Sequence, residues 1–386
     1  MSLIGQNTLR TKHLNRALVL QTLLRLNMPS RQEIASYTKL TPATITNIIN
    51  ELIQEGLVME IGSMATEQRK AGRKTILLDL VEEARMVLAV HIRSDKVELA
   101  IVTLKGKVVY DTSFNMPANA DQEQFLDFLI EKIEGFISEH KNTKIACIGI
   151  GSVGLVDFDN GLIIEAEHMG WRQFELTKII SEHFKVPAYI DHHVRGMALA
   201  EKMFGSCKRH SDFLCVFIGQ GIGSGMYLKD QLYRSEGTGA GEIGHMTYQP
   251  EGRLCWCGNR GCLERYASEG AILAELDFTS IDQIITEYRN GSSPVIKEIE
   301  AATKKISVVL TSFINMFHVQ KVIIGGKLTQ NDMPLVRQIE YEVNHQSFLA
   351  KRRKVEIHPS NMEEHIGVIG AASIALLYGV YSAKAE

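Results

Sequence analysis

The sequence predicts an α/β protein that carries a winged helix-turn-helix at its N-terminus. Three observations predict it. Three helical segments with their own start signals precede residue 60, strands and helices alternate after residue 80, and one histidine and three cysteines crowd into the 18 residues from 245 to 262. Charge divides the chain at a similar place. Residues 1–76 hold ten Lys/Arg against five Asp/Glu, a net +5, and the rest holds 32 against 40, a net −8. A basic head on an acidic body points to a polyanionic partner for the head.

The first helix is expected over about Asn15–Leu26, with Ala17, Leu20 and Leu24 at helical spacing. The second opens on Ser30-Arg31-Gln32-Glu33, a capping box in which serine and glutamate satisfy each other's orphan amides, and it ends near Thr38. The third starts at Thr41-Pro42, an N-cap followed by proline at the first helical position. It places Ile45, Ile48, Ile49, Leu52 and Ile53 on one face. The short Lys39-Leu40 turn between the last two helices matches a helix-turn-helix, whose second helix enters the major groove. Ala43, Thr44, Thr46 and Asn47 are then the residues left to face base edges. The alternative is a small three-helix packing module.

A strand after Gly56, a polar loop over 62–71 and a second strand over Thr75–Leu80 complete a wing. Arg69, Lys70, Arg73 and Lys74 surround Gly72 there, a spacing suited to phosphate contact or a minor-groove reach. A basic run of this kind is also what a solvated loop looks like.

After Leu80, strands are expected at Met86–Ile92, Lys96–Thr103, Lys107–Phe114, Lys144–Ser152, Pro187–Ile190, Phe213–Ile218, Gly225–Leu228 and Lys321–Ile324. Long helices are expected at Asp121–His140, Phe174–Phe184, Val194–Phe204 and Pro294–Phe317. The 386 residues suffice for two or three domains. Six cysteines, three of them clustered, argue for a reducing compartment and against a disulfide framework. With no signal peptide and no apolar run near the roughly 20 residues of a membrane helix, a cytoplasmic protein is expected.

His245, Cys255, Cys257 and Cys262 form the ligand set of a closed, tetrahedral, structural Zn2+ site. Three thiols that merely lie close in sequence are the competing reading. The same stretch, Gly241-Glu242-Ile243-Gly244-His245 followed by Cys255-x-Cys257-Gly258-x-x-Gly261-Cys262-x-Glu264, resembles the signature of the ROK family (repressors, open reading frames and kinases). The resemblance continues through Gly219–Gly225, Ile323-Ile324-Gly325-Gly326 and the C-terminal segment 367–377, and with the head it covers essentially the whole chain.

The resemblance implies a two-lobed, actin-like (ribonuclease H-like) body with a sugar cleft between its lobes. It divides the chain into a head over 1–80, a first lobe over 81–193 joined by a C-terminal helix over 367–386, and a second lobe with the zinc site over 194–366. The family contains ATP-dependent sugar kinases and DNA-binding repressors, and the repressors carry the extra head. Where the kinases have an Asp-x-Gly-Gly-Thr phosphate loop, this chain reads His91-Ile92-Arg93-Ser94-Asp95. Where they have the Asn-Asp pair that includes the general base, it reads His192-His193. A histidine can still accept a hydroxyl proton, but without the phosphate loop the body reads as a ligand sensor and not an enzyme.

Of the family's sugar-binding positions, Glu242, His245 and Glu264 survive here, and His245 would bind zinc through one ring nitrogen and the sugar through the other. The remaining positions have become His168, His192 and His193, with Arg195 close by. Either these favour an anionic ligand such as a sugar phosphate or sugar acid, or the histidines are core residues of a repressor that has drifted from its effector. Trp171 could stack on a sugar or fill the core. The resulting expectation is a repressor of carbohydrate-utilisation genes that binds operator DNA as a homodimer, or as a tetramer, and answers to a sugar or sugar-derivative effector. The competing expectations are an ATP-dependent sugar kinase with a vestigial head and a sensor titrated by another protein.

Overall fold

The computed structural model describes residues 8–63, 75–117, 120–235, 239–329, 332–348 and 350–382. In the head, α1 (Thr8–Arg25), α2 (Arg31–Thr38) and α3 (Pro42–Gln54) precede an antiparallel pair, β1 (Val58–Ser63) and β2 (Ile76–Leu80). The local start signals hold. Glu33 N donates to Ser30 Oγ at 3.2 Å, Ser30 N donates to Glu33 Oε2 at 2.7 Å, and Thr44 N donates to the Thr41 hydroxyl at 3.2 Å. Lys39, in the left-handed region at φ 60°, turns the chain between α2 and α3. α1 begins seven residues before the apolar periodicity does, because its first two turns are polar and Leu14 and Leu18 stay exposed. Arg69, Lys70, Arg73 and Lys74 lie outside the described residues.

The body starts with β3 (Met86–Ile92), β4 (Lys96–Val102) and β5 (Val108–Asn115), then α4 (Gln122–Glu139) and β6 (Ile145–Ser152). A small antiparallel sheet follows, made of β7 (Leu155–Asp157), β8 (Leu162–Ala166) and β9 (Trp171–Phe174). Next come α5 (Leu176–Phe184), β10 (Ala188–His192) and α6 (His193–Met203). The second half holds β11 (Phe213–Ile218), β12 (Ile222–Leu228), β13 (Gln231–Leu232), α7 (Glu264–Ala267), α8 (Glu269–Leu276), α9 (Ile281–Arg289) and α10 (Ser293–Phe317). It closes with β14 (Lys321–Gly325), α11 (Leu335–Gln346), β15 (Glu356–Pro359) and α12 (Ile366–Ala375).

The two five-stranded sheets share one plan. Their orders are β10-β6-β3-β4-β5 and β15-β14-β11-β12-β13. In each, three strands form an antiparallel meander and two later strands join in parallel beside the first. This repeated α/β unit is the two-lobed, actin-like arrangement expected. The small sheet was not anticipated, and the helix expected from Phe174 begins only at Leu176 because Trp171–Phe174 pairs as its edge.

α6 and α12 cross between the lobes with almost no space between their backbones. A Cβ at Gly370 would lie 2.8 Å from Met197 N, and one at Gly196 would lie 3.0 Å from Gly370 O, so both crossing points exclude a side chain. The apolar core of the head is continuous with one face of the first sheet. Leu20, Ile34, Ile45 and Leu52 share a cluster with Val87, Ala100, Leu104 and the fully buried Tyr381. Tyr381 also donates its hydroxyl to Leu104 O at 2.8 Å, and its carbonyl accepts from Gln21 Nε2 at 3.0 Å. No helix among the described residues is long and apolar enough to cross a membrane.

Candidate functional site

The segment after β13 folds into a knuckle. Thr247 pairs with Cys262, Leu254 with Arg260, and Cys255 N donates to Asn259 O at 2.8 Å. Those pairings bring the ligand atoms of His245, Cys255, Cys257 and Cys262 within 4.8 Å of one another. Cys257 Sγ lies 3.6 Å from Cys262 Sγ, and Cys255 Sγ lies 3.7 Å from His245 Nδ1. Metal–sulfur bonds of about 2.3 Å and metal–nitrogen bonds of about 2.0 Å at tetrahedral angles put donors roughly 3.5–3.8 Å apart. The four donors therefore fit a single metal ion, with His245 contributing Nδ1 and keeping Nε2 for another partner.

The same loop makes one wall of the interlobe cleft. Glu264, buried at the start of α7, accepts from Cys255 Sγ at 3.2 Å. Its other oxygen faces Gly221, where a Cβ would lie 2.9 Å from Oε2. Two residues on, a Cβ at Gly223 would lie 3.5 Å from His192 Cε1 and 2.9 Å from Val194 Cγ2. These two glycines form a floor without side chains between Glu264 and His192. His192 is within electrostatic reach of Glu242, and His168 of both Glu264 and His245. All six residues expected at the ligand, His168, His192, His193, Glu242, His245 and Glu264, thus gather around one opening.

Trp256 was not anticipated there. It is 38% exposed and its ring sits 4.2 Å from His168 and 4.7 Å from His245, bridging the lobes. Trp171 is instead a core residue, fully buried against Phe125 at 4.3 Å and Phe174 at 5.7 Å. A Trp between two metal-binding cysteines is a signal the sequence did offer, since the knuckle must leave that side chain outside.

The histidines do not form a cationic wall. Burial pushes His192 down to about 4, and burial with the neighbouring His192 and His91 lowers His193 well below its ordinary value. Arg195 is committed as well. Its Nε donates to Asp191 Oδ1 at 2.6 Å, while Arg234 Nε donates to Asp191 Oδ2 at 3.0 Å. Asp191, fully buried at the end of β10, holds both arginines, and the guanidinium of Arg234 lies 4.2 Å over the Phe158 ring. The expectation of an anion-selecting wall is therefore not met. Asp191 could have been found from its i, i+4 spacing to Arg195.

On the other side of His193 lies a cavity of about 900 Å³, lined by His91, Arg93, Asp95, Glu98, Glu269 and Gly326, among others. The expected phosphate-loop segment is a tight hairpin here. Arg93 N donates to Lys96 O at 2.9 Å, and the Arg93 side chain grips Asp95 through two bonds of 2.9 and 3.2 Å. No row of free amides is presented by residues 91–95.

In the head, Ala43, Thr46 and Asn47 are exposed and Thr44 half-buried at the N-terminal end of α3. The Thr46 hydroxyl donates to Pro42 O at 2.8 Å and Thr44 Oγ1 lies 2.9 Å from Thr41 Oγ1. This occupies their hydroxyls and leaves their methyls, and the Asn47 amide, facing outward.

Comparison with known proteins agrees with this geometry. A model of the ROK family matches residues 87–377. The chain is 29% identical to the xylose repressor of Caldicellulosiruptor bescii, over 97% of this chain and 98% of that protein. It is 30% identical to the DNA-binding transcriptional dual regulator NagC of Escherichia coli, over 96% of this chain and 94% of that one. Among solved structures, a ROK family transcriptional regulator described as a homologue of the E. coli MLC protein superposes with a TM-score of 0.82 at 26% identity, over 97% of this chain and 98% of its own. A ROK family glucokinase from Streptomyces griseus, solved with glucose and AMPPNP, shares the fold with a TM-score of 0.67 at 21% identity, over 74% of this chain and 98% of its own.

Proposed function

The chain belongs to the ROK family, and on that premise we propose that it is a sugar-responsive transcriptional repressor. The observation that carries this reading is the pairing of two parts in one molecule. A helix-turn-helix leaves Ala43, Thr44, Thr46 and Asn47 at the outer end of α3, and its core is continuous with a body whose interlobe cleft gathers Glu242, His245, Glu264 and three histidines.

In this reading, residues 1–80 bind operator DNA, with Asn47 reading adenine and the basic residues Arg69, Lys70, Arg73 and Lys74 supplying phosphate contacts. The lobes, 81–193 with the C-terminal helix and 194–366, close around the effector. The metal is Zn2+ in a structural role, since three thiolates and an imidazole are its preferred closed set. A homodimer presents two recognition helices to successive major grooves. The protein is not a kinase: the Arg93 amide is spent in a hairpin, and a histidine stands at the general-base position.

The test is selection of bound duplexes from a random DNA pool, followed by fluorescence anisotropy on the enriched sequence. The expected result is an inverted repeat, bound with steeply salt-dependent affinity, and a loss of about 10- to 100-fold on Asn47→Ala. No enrichment, or ATP-dependent sugar phosphorylation that disappears on His193→Ala, overturns the reading.

A further inference from the structure

We propose that Glu98, acting through His91, fixes the proton of His193 on Nδ1, so that His193 offers the cleft a bare Nε2 lone pair and selects an uncharged, hydroxyl-donating effector over phosphorylated or acidic sugars. The proposal rests on the reading of the cleft as an effector site and names the ligand class of that site.

Three side chains form the chain of contacts. His91 Nδ1 lies 2.7 Å from Glu98 Oε2, and His91 Nε2 lies 3.1 Å from His193 Nδ1. Glu98 Oε1 accepts from Lys96 Nζ at 2.5 Å. Burial raises Glu98, but the hydrogen bonds and charges of His91 and Lys96 outweigh it and hold the carboxyl at about 2. An ionised carboxylate only accepts, so His91 must carry a proton on Nδ1. Burial, reinforced by the charges of Arg93 and Lys96, lowers His91 despite the nearby carboxylate, so the ring holds one proton and its Nε2 is a lone pair. Only a donor can sit 3.1 Å from that lone pair, which places the proton of His193 on Nδ1. His193 is neutral too, which leaves its Nε2 bare.

That nitrogen is on the opposite side of the ring from His91. His193 is partly exposed, and no hydrogen bond joins its Nε2 to any described residue. It therefore joins Glu242 and Glu264 as a third acceptor around the opening. A sugar hydroxyl can donate to each of the three. A phosphate or carboxylate brings only acceptors and negative charge to the same atoms, and the cation beside them, Arg195, is held by Asp191. A site built to receive hydroxyl donors rejects a mismatched group strongly. A preference of about 100-fold or more for the neutral sugar over its phosphate follows on that basis.

The experiment uses the zinc-loaded full chain with 15N-labelled histidine, in which imidazole nitrogen shifts report the tautomer of each ring. Replacement of His91 and His193 one at a time assigns their signals among the thirteen histidines. His91 and His193 are both expected as the Nδ1–H form. In Glu98→Gln the amide oxygen turns to Lys96 and the NH2 to His91, so both rings are expected to switch to Nε2–H. Calorimetry on the unsubstituted protein then compares neutral aldopentoses and aldohexoses with their sugar phosphates and uronic acids.

An Nε2–H His193 in the unsubstituted protein overturns the proposal, and that measurement needs no variant to fold. A sugar phosphate or uronic acid that binds more tightly than its neutral parent overturns the selectivity. If no sugar of any class binds, the effector reading falls and the selectivity with it, while the NMR result judges the tautomer by itself.

Discussion

Replacing Glu269 by glutamine should remove a pH-dependent loss of stability from this protein. Glu269 opens α8, is 4% exposed and faces the cavity beside Arg93, where its Oε1 accepts from Lys327 N at 3.0 Å. Burial pushes its carboxyl up to about 7, against the opposing pull of Arg93 and of the Lys327 amide and charge. A carboxyl raised in the folded state binds its proton more tightly there than in the unfolded chain. Its contribution is therefore complete below the ordinary carboxylate range near 4.5 and is lost as pH rises through 7. A rise of that size at 1.36 kcal/mol per unit amounts to about 3 kcal/mol. Glutamine keeps the acceptor oxygen and cannot ionise, so the variant should gain about 3 kcal/mol relative to the parent between about pH 4.5 and 8. Urea unfolding of both proteins at matched pH gives the difference directly, because every other titrating group cancels in the comparison. A difference that stays constant across that range would mean that Glu269 is ionised throughout in the folded protein, and the reasoning would fail.

His192 should act with the opposite sign. Its imidazole, pushed down to about 4 by burial, contributes stability that is complete above about 6.5 and is lost as pH falls toward 4. His192→Asn should flatten the acid limb of stability by about 3 kcal/mol, measured by the same matched-pH unfolding; an unchanged limb would place the loss elsewhere. Cys257→Ser removes an exposed thiolate from the metal knuckle and should weaken zinc retention against a chelator by more than the roughly 10- to 100-fold that a lost supporting hydrogen bond costs. Because His245 and Glu264 stand between metal and cleft, effector affinity should fall with it. Zinc loss with an unchanged effector response would reduce the metal to a clip.

What the sequence revealed follows the range of the forces involved. The capping box at Ser30 and Glu33 and the Thr41-Pro42 start are local, and each lies within four residues of chain. The zinc ligands were legible because their chemistry is specific and their loop short. β7, β8 and β9 were missed because strands of three to five residues carry too few alternations to register. The roles of the histidines were misjudged for a different reason. Composition marks them as titratable near neutrality, but only burial decides whether they ionise, and burial is a property of the packed lobes. Glu98 was within reach of the sequence. A hairpin turning at 93–96 sets Ile92 opposite Val97 and His91 opposite Glu98, and that cross-strand pair is the one observed.

The cleft and the head are joined by one rigid element. α6 begins with His193 at the cleft and ends at Met203, 11 residues and about 16 Å away. Its last turn meets the head: Lys202 pairs with Asp230, which also accepts from Arg25 of α1 at 3.1 Å. Between them lies a cavity of about 370 Å³, bounded by Gln21, Leu24 and Arg25 of the head, Leu199, Lys202 and Met203 of α6, and Tyr378. A close-packed joint would resist any shift of the head on the body, whereas this one has room for side chains to rearrange. At its other edge α6 is pinned to α12 through bare backbone at Gly196 and Gly370, and α12 runs on toward Tyr381, whose carbonyl receives Gln21 of α1. A ligand that draws His192 and His193 toward the zinc loop thus moves a helix with no slack at its centre and with space at its end. Under the proposed function, the direction of coupling is set by whether that movement keeps or breaks the shared hold of Arg25 and Lys202 on Asp230. By linkage, whatever DNA does to that joint must be returned to the cleft as an equal change in effector affinity.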